Sequence, residues 1–298
     1  MRKAIIDLGT NTFNLLVADV NGNQIDVVFT DKIGVAIGMG GINNKCLTEE
    51  SILRGMEAIG HFLEKTKELA VQTIHTFGTS AMRDAENTDE FVSRIKSKFK
   101  LEVQIISGFK EAELIYHGVH QLYDFKEKGV IIDIGGGSTE IIFADNAVVH
   151  DVASLNIGVS RIYQKFELSD PLTLEDIQSI RNYLQTHSEG FLNHRVEPLM
   201  IGSSGSFETF WELIYLKKFP KEAKIYPLEI QIFKEVLEQT VRSTLEQRER
   251  NQFILPIHKL MAPITAVKTL WLMEKLKTTK IVISPYSLKE GAVHSDQI

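Results

Sequence analysis

Two short stretches of this chain carry the residue types needed to hold phosphate groups and a metal ion. The first is Asp7-Leu8-Gly9-Thr10-Asn11-Thr12. The second, Asp133-Ile134-Gly135-Gly136-Gly137-Ser138-Thr139-Glu140, begins 126 positions after Asp7. Each lies between two apolar runs: Ala4-Ile5-Ile6 and Leu15-Leu16-Val17-Ala18 for one, Val130-Ile131-Ile132 and Ile141-Ile142-Phe143-Ala144 for the other. The pattern predicts a tight hairpin with a turn rich in glycine and hydroxyls. Backbone N–H groups of such a turn point outward, and glycine lets an anion approach them closely. An Asp at the strand end can hold a metal ion, directly or through water. One Asp-x-Gly-Thr turn alone is a common structural turn; two in matching contexts predict a grip on a polyphosphate from both sides. Gly9, Thr10, Asn11 and Thr12, with Gly135, Gly136, Gly137, Ser138 and Thr139, are therefore the candidate phosphate ligands. Asp133 and Glu140 are the candidate metal carboxylates, with Asp7 as the mirror image of Asp133, and hard oxygen ligands suit Mg²⁺. The plainer reading is that Asp133 closes the turn and Glu140 faces solvent.

The elements around these motifs repeat as well. A third strand-like segment follows each hairpin, Ile25–Phe29 and Val148–Val152, after turns at Asn21-Gly22-Asn23 and Asp145-Asn146. Gly-containing loops come next, Gly38-Met39-Gly40-Gly41 and Asn156-Ile157-Gly158. Helices are predicted from Thr48-Glu49-Glu50 and from the capping-box pattern at Thr173-Leu174-Glu175-Asp176. Strand–turn units then lead into Gly78-Thr79-Ser80 and Gly202-Ser203-Ser204-Gly205. Ser80 and Arg83 sit where a strand feeds a helix, a place suited to anions, although Arg83 also reads as a surface helix residue. The order is βββ-α-β-α twice, an α/β architecture. The charged stretch at residues 123–129 divides the chain into residues 1–124 and 125–298, and a helical insertion near Leu228–Leu276 enlarges the second half. Trp211 and Tyr215, with Phe207, read as core-facing helix positions. His150-Asp151, on an alternating strand without companion ligands, reads as structural.

The chain has 298 residues, 43% hydrophobic and 24% charged, and a net charge of −6. That balance argues against a general nucleic-acid or membrane-surface binder, yet a local pocket of N–H groups still accepts an anionic substrate. Cys46 is the single cysteine, so no intrachain disulfide or cysteine-based zinc site forms. The start Met1–Asp7 does not read as a signal peptide, and no apolar run approaches a membrane span. A cytoplasmic setting is the expectation.

Four strings in order resemble the exopolyphosphatase / guanosine pentaphosphate phosphatase family, of the superfamily of actin, sugar kinases and heat-shock chaperone ATPases. They are Ile6–Thr12, Gly78-Thr79-Ser80-Ala81-Met82-Arg83-Asp84-Ala85-Glu86-Asn87, Ile106–Val119 with Lys110-Glu111-Ala112-Glu113, and Ile132–Glu140; Lys289-Glu290-Gly291 closes the resemblance. It implies two duplicated ribonuclease H-like lobes, as in the actin-like ATPases, with an interlobe cleft. It also implies hydrolysis of terminal phosphate from inorganic polyphosphate or guanosine pentaphosphate, with Mg²⁺ and with Glu111 as general base to a water. Ser80 and Arg83 would contact phosphate, with Arg161 and Lys289 as weaker basic candidates; a homodimer is left open. The plainer reading of Glu111 is an exposed first-turn carboxylate on a helix over Lys110–Leu122. The sequence departs from the family at Asn14, at Gly202-Ser203-Ser204-Gly205-Ser206 and at Arg250–Pro256. The sequence stops where longer members of the family continue into a helical domain that binds polymer, and the resemblance then implies less surface for long polyphosphate. The second reading is therefore a nucleotide- or alarmone-binding regulatory module on the same fold with weak or no catalysis. A sugar or acetate kinase is a third, for which no acceptor pocket is legible.

Overall fold

The computed structural model describes residues 1–294 apart from 23, 146, 147, 189 and 221. Asn23 and Asn146, assigned above to hairpin turns, lie outside the described residues. Two compact units form, Met1–Gly118 with the described residues from Ser287 onward, and Val119–Tyr286.

The first unit opens with β1 (Arg2–Leu8), β2 (Thr12–Asn21) and β3 (Gln24–Gly34), an antiparallel meander. Helix α1 (Glu49–Glu68) then crosses over to β4 (Thr73–Gly78), which pairs parallel with β1. The crossover is needed because parallel neighbours cannot be joined by a hairpin. Short α2 (Ser80–Asp84), α3 (Thr88–Phe99), β5 (Gln104–Ile105) and α4 (Gly108–His120) follow, and the sheet order is β3-β2-β1-β4-β5. Thr48 caps α1 by accepting from Ser51 N. The apolar residues of α1 recur at helical spacing, and Ile52, Ile59 and Phe62 pack with Ile6, Leu8, Phe13 and Leu15 of the sheet. β3 is largely exposed and carries Asp26, Asp31 and Lys32, charges that suit an edge strand.

The second unit repeats the plan. β6 (Gly129–Ile134), β7 (Thr139–Asp145) and β8 (Val148–Leu155) form the meander, followed by α5 (Val159–Lys165), α6 (Leu174–His187) and β9 (Leu199–Ser203). Thr173 and Asp176 close the expected capping box on α6. Between β9 and β11 (Lys280–Ile283) lie α7 (Gly205–Tyr215), β10 (Tyr226–Leu228), α8 (Ile230–Arg242), α9 (Leu245–Arg250) and α10 (Ala262–Leu276), where the first unit has α2 and α3 alone; the stretch Leu228–Leu276 expected as a helical insertion covers α8, α9 and α10. The sheet order, β10-β11-β9-β6-β7-β8, matches the first with β10 added at the edge. Two duplicated lobes of the actin-like type are thus present. On α7, Phe207 and Phe210 are buried beside Phe233, but Tyr215 is 44% exposed and Trp211 half-buried. The core-facing assignment therefore holds for Phe207 and fails for Tyr215, which lies past the buried stripe of the helix.

The last helix, α11 (Leu288–Ala292), groups with the first unit. The sequence placed the division at 124/125 and gave these residues to the second half; the packing draws it at 118/119. Backbone contact explains the placement of α11. A Cβ on Gly291 would stand 1.8 Å from Leu114 O, and one on Gly118 would stand 2.0 Å from Ser287 O. Two glycines thus let α4 and α11 touch main chain to main chain, and Lys3, buried on β1, donates to Val293 O at 3.3 Å. Gly291→Ala has no room at this contact and should destabilise the protein by about 1–3 kcal/mol. Gly60→Ala on α1 meets only the ring of Phe99, at 3.6 Å, and should stabilise by about 0.5–1 kcal/mol. Urea unfolding of the two variants should give opposite signs.

Candidate active site

The two hairpins share one register. Asp7 lies opposite Asn14 and Leu8 opposite Phe13; Asp133 lies opposite Glu140 and Ile134 opposite Thr139. Each turn therefore spans four residues, Gly9–Thr12 and Gly135–Ser138. In the second turn every leading carbonyl is captured by the loop after the third strand. Val159 N donates to Gly135 O at 3.1 Å, Ser160 N to Gly136 O at 2.8 Å, and Gly158 N to Gly137 O at 3.3 Å. Arg161 Nε adds a bond to Gly137 O at 2.6 Å. In a trans peptide the C=O and N–H point opposite ways. Fixing these carbonyls inward therefore turns the N–H groups of Gly136, Gly137 and Ser138 outward, and among the described residues those three make no hydrogen bond. Three consecutive N–H groups of one orientation form an anion nest. Gly158 makes the approach feasible: a Cβ there would stand 2.2 Å from Gly136 O.

The first turn uses the same device. Val35 N and Ala36 N donate to Asn11 O at 3.0 and 2.9 Å, and Gly38 N to Thr10 O at 3.3 Å. The two glycine-bearing loops noticed in the sequence are thus the clamps that orient the turns.

The side chains diverge. Asp133 and Glu140 are 8% and 2% exposed, and as directly opposed residues they share one face with Cβ atoms about 5 Å apart. Ser154 Oγ donates to Glu140 Oε1 at 2.7 Å. In the first unit Asn14 takes the place of Glu140, and its Nδ2 donates to Asp7 Oδ2 at 2.9 Å. An amide thus occupies one oxygen of Asp7, whereas the second hairpin presents two carboxylates. No group of three or more His, Cys, Asp or Glu suited to a metal occurs among the described residues. A pair of buried carboxylates still fits Mg²⁺, which commonly takes one or two carboxylates and completes its shell with water and substrate phosphate.

Arg83 and Glu111 meet within the first unit, and Ser80 lies on the same short helix as Arg83. Ser80, 2% exposed, opens the five-residue α2. Arg83 Nη1 donates to Glu111 Oε2 at 2.8 Å and to Ile106 O at 3.1 Å. Helix α4 starts at Gly108, two residues before the expected Lys110, and Glu111 lies in its first turn. Glu111 is only 7% exposed, so it is not an exposed helix-start carboxylate; the Arg83 guanidinium compensates its buried charge. Arg83 is equally not a plain surface residue. Arg161 serves the turn through Gly137 O rather than standing open to an anion, and Lys289 pairs with its neighbour Glu290 at 3.0 Å. His150 and Asp151 bond to Asp145 and Arg195, a structural role.

Sequence reasoning missed Lys268. It sits at the centre of α10, fully buried, and its ammonium donates to Thr139 Oγ1 and to Ile157 O, the latter at 2.5 Å. Desolvation pulls its pKa down to about 7, against the opposing influence of Glu140 and then Asp133. A signal was present: one Lys in the run Ile264–Met273, on a helix apolar on nearly all sides, has no solvent face to occupy.

Comparison with known proteins agrees with the fold. Residues 16–297 match the model of the Ppx/GppA phosphatase family. A putative exopolyphosphatase of Haemophilus influenzae is 32% identical over 71% of this chain and 66% of its own length. A guanosine-5'-triphosphate,3'-diphosphate pyrophosphatase of Photobacterium profundum is 30% identical over 71% of this chain and 43% of its own. The chain thus spans less than two thirds of these relatives. The crystal structure of an exopolyphosphatase from Cytophaga hutchinsonii superposes with a TM-score of 0.95 at 30% identity, covering 99% of this chain and 97% of that one.

Ser204, in the turn that departs from the family pattern, has φ 75° and ψ 172° as it leads into α7. That conformation is essentially a glycine one, and Ser204 Oγ is buried with no partner among the described residues. Ser204→Gly should therefore raise stability by about 1 kcal/mol, the relief of strain exceeding the added freedom of the unfolded chain. Thermal unfolding checks it; a lower melting temperature would contradict the strain.

Proposed function

The chain belongs to the Ppx/GppA phosphatase family, and on that premise we propose that it hydrolyses the terminal phosphoanhydride bond of inorganic polyphosphate or of guanosine pentaphosphate. The observation that carries the reading is the second turn, with its three outward N–H groups beside two buried carboxylates. A terminal phosphate needs fixed donors for its non-bridging oxygens, which gain charge as the leaving group departs. Gly136, Gly137 and Ser138 supply such donors with no reorganisation, because their peptide planes are already tied back. The turn Gly9–Thr12, with Ser80, would bind further oxygens of the polyanion.

Glu111 is the general base in this proposal. Its carboxylate would take a proton from the attacking water, while Arg83 holds it in place through a charge-assisted bond. Asp133 and Glu140 would hold Mg²⁺, with Asp7 a further carboxylate for it in the first unit. When bound, the ion offsets phosphate charge as a Lewis acid. No helix is long and apolar enough to cross a membrane. We place the activity in the cytoplasm, where the free Cys46 is stable, and take the substrate to be a small polyanion rather than nucleic acid. Ser204, a strained replacement in a family turn, supports the competing reading, an alarmone- or nucleotide-binding module with weak turnover.

Phosphate release from polyphosphate and guanosine pentaphosphate separates the two. Glu111→Gln should lower kcat by about 10²–10⁴-fold with KM similar or lower, since a base acts mainly in the transition state. Glu113→Gln is the control, because Glu113 bridges Lys110 at 3.0 Å. Because Glu111 is buried against Arg83, both variants need a melting curve beside the assay. Equal rates for the two, or a Glu111→Gln protein as fast as the parent, would remove Glu111 from the mechanism and favour the binding module.

Asp133→Asn should raise the Mg²⁺ concentration for half-maximal rate on the order of tenfold, as an amide gives up its charge attraction to a dication. Full activity in excess chelator would end the metal assignment.

A further inference from the structure

The buried Lys268 has no part in the mechanism above, yet it contacts the strand residue that ends the phosphate turn. The duplication shows what is unusual about it. With the hairpins aligned through their common register, Asp133 matches Asp7, Thr139 matches Phe13 and Glu140 matches Asn14. The first hairpin thus carries one carboxylate, one amide and a core phenyl ring, Phe13 being fully buried. The second carries two carboxylates, a hydroxyl and, on that hydroxyl, an ammonium. One extra negative charge has arrived together with one buried positive charge. The ammonium comes from α10, the helix that precedes β11 as α3 precedes β5 in the first unit.

We propose that Lys268 is a positioning residue and internal counter-charge that pins Thr139 and Ile157 and weakens the hold of Asp133 and Glu140 on a divalent metal. The inference rests on the metal reading given above. A buried charge is poorly screened, so an ammonium within the field of two carboxylates opposes the entry of a second cation. The consequence is functional. A metal held loosely by the protein alone, and firmly only when phosphate oxygens complete its shell, enters and leaves with the polyanion. Without the ammonium the same carboxylates would retain the ion between turnovers.

The test uses Mn²⁺ alone as the probe, titrated by calorimetry at about pH 6, below the lowered pKa of Lys268, into metal-free full-length protein without substrate. Four proteins are compared: parent, Asp133→Asn, Lys268→Met and Lys268→Gln. Lys268→Met keeps the length and removes the charge; Lys268→Gln also keeps a donor for Thr139 or Ile157 and serves if the Met variant does not fold. Both Lys268 variants should bind Mn²⁺ on the order of tenfold more tightly than the parent, and Asp133→Asn more weakly. The sign is diagnostic, because mere loosening of the turn would weaken binding. Unchanged or weaker binding by a folded Lys268 variant, with Asp133→Asn still impaired, overturns the counter-charge and leaves the metal site standing. If Asp133→Asn binds as the parent does, the metal reading itself fails and the inference falls with it.

Discussion

Everything proposed for this protein depends on where a few carbonyl oxygens point. Gly135, Gly136 and Gly137 give up their carbonyls to Gly158–Arg161, and Thr10 and Asn11 give up theirs to Val35–Gly38. Peptide planarity does the rest, since a carbonyl held inward leaves the next N–H facing out. The absence of a side chain on Gly158 is necessary for its close approach to the second turn, but the glycines of that turn would not by themselves orient the peptide planes. A clamping loop does so, and it comes from a different part of the meander, after β3 or β8.

The duplication shows how one scaffold supports two different hairpins. Both units keep the βββ-α-β-α order, the Asp at the end of the first strand and the clamped turn. They part where side chains meet the hairpin. Asn14 donates to Asp7 and so satisfies it internally, whereas Glu140 adds a second acid beside Asp133. Thr139 replaces a buried phenyl ring and needs a polar partner, which Lys268 provides. A buried ion is expensive unless its surroundings compensate it; here two hydrogen bonds and two carboxylates offset part of the cost, and desolvation still lowers the pKa to about 7.

The same economy applies to Arg83 and Glu111. Both lie on short or initial helical segments, where the sequence alone suggests exposed charges. The structure buries most of the Glu111 surface and puts the guanidinium against it. A carboxylate in this setting is held in one position, which would suit the proposed proton abstraction from a water placed by other groups.

The sequence by itself determined the local pieces. The apolar runs became β1, β2, β6 and β7, Thr48 and Thr173 became helix caps, and the repeated Asp-x-Gly turns became the paired hairpins, because strand alternation, capping and turn chemistry act over a few residues. The strings resembling the Ppx/GppA family also singled out Glu111 and Asp133 as candidates. Only the tertiary structure decided the partnerships. Arg83 and Glu111 meet 28 residues apart, and Lys268 reaches Thr139 across 129. Tyr215 turned outward and α11 returned to the first unit through the Gly118–Gly291 contact, neither of which follows from the residue types alone. Such choices are set by which surfaces pack together and how closely backbones can approach, and a linear pattern carries no record of distance between residues far apart in the chain.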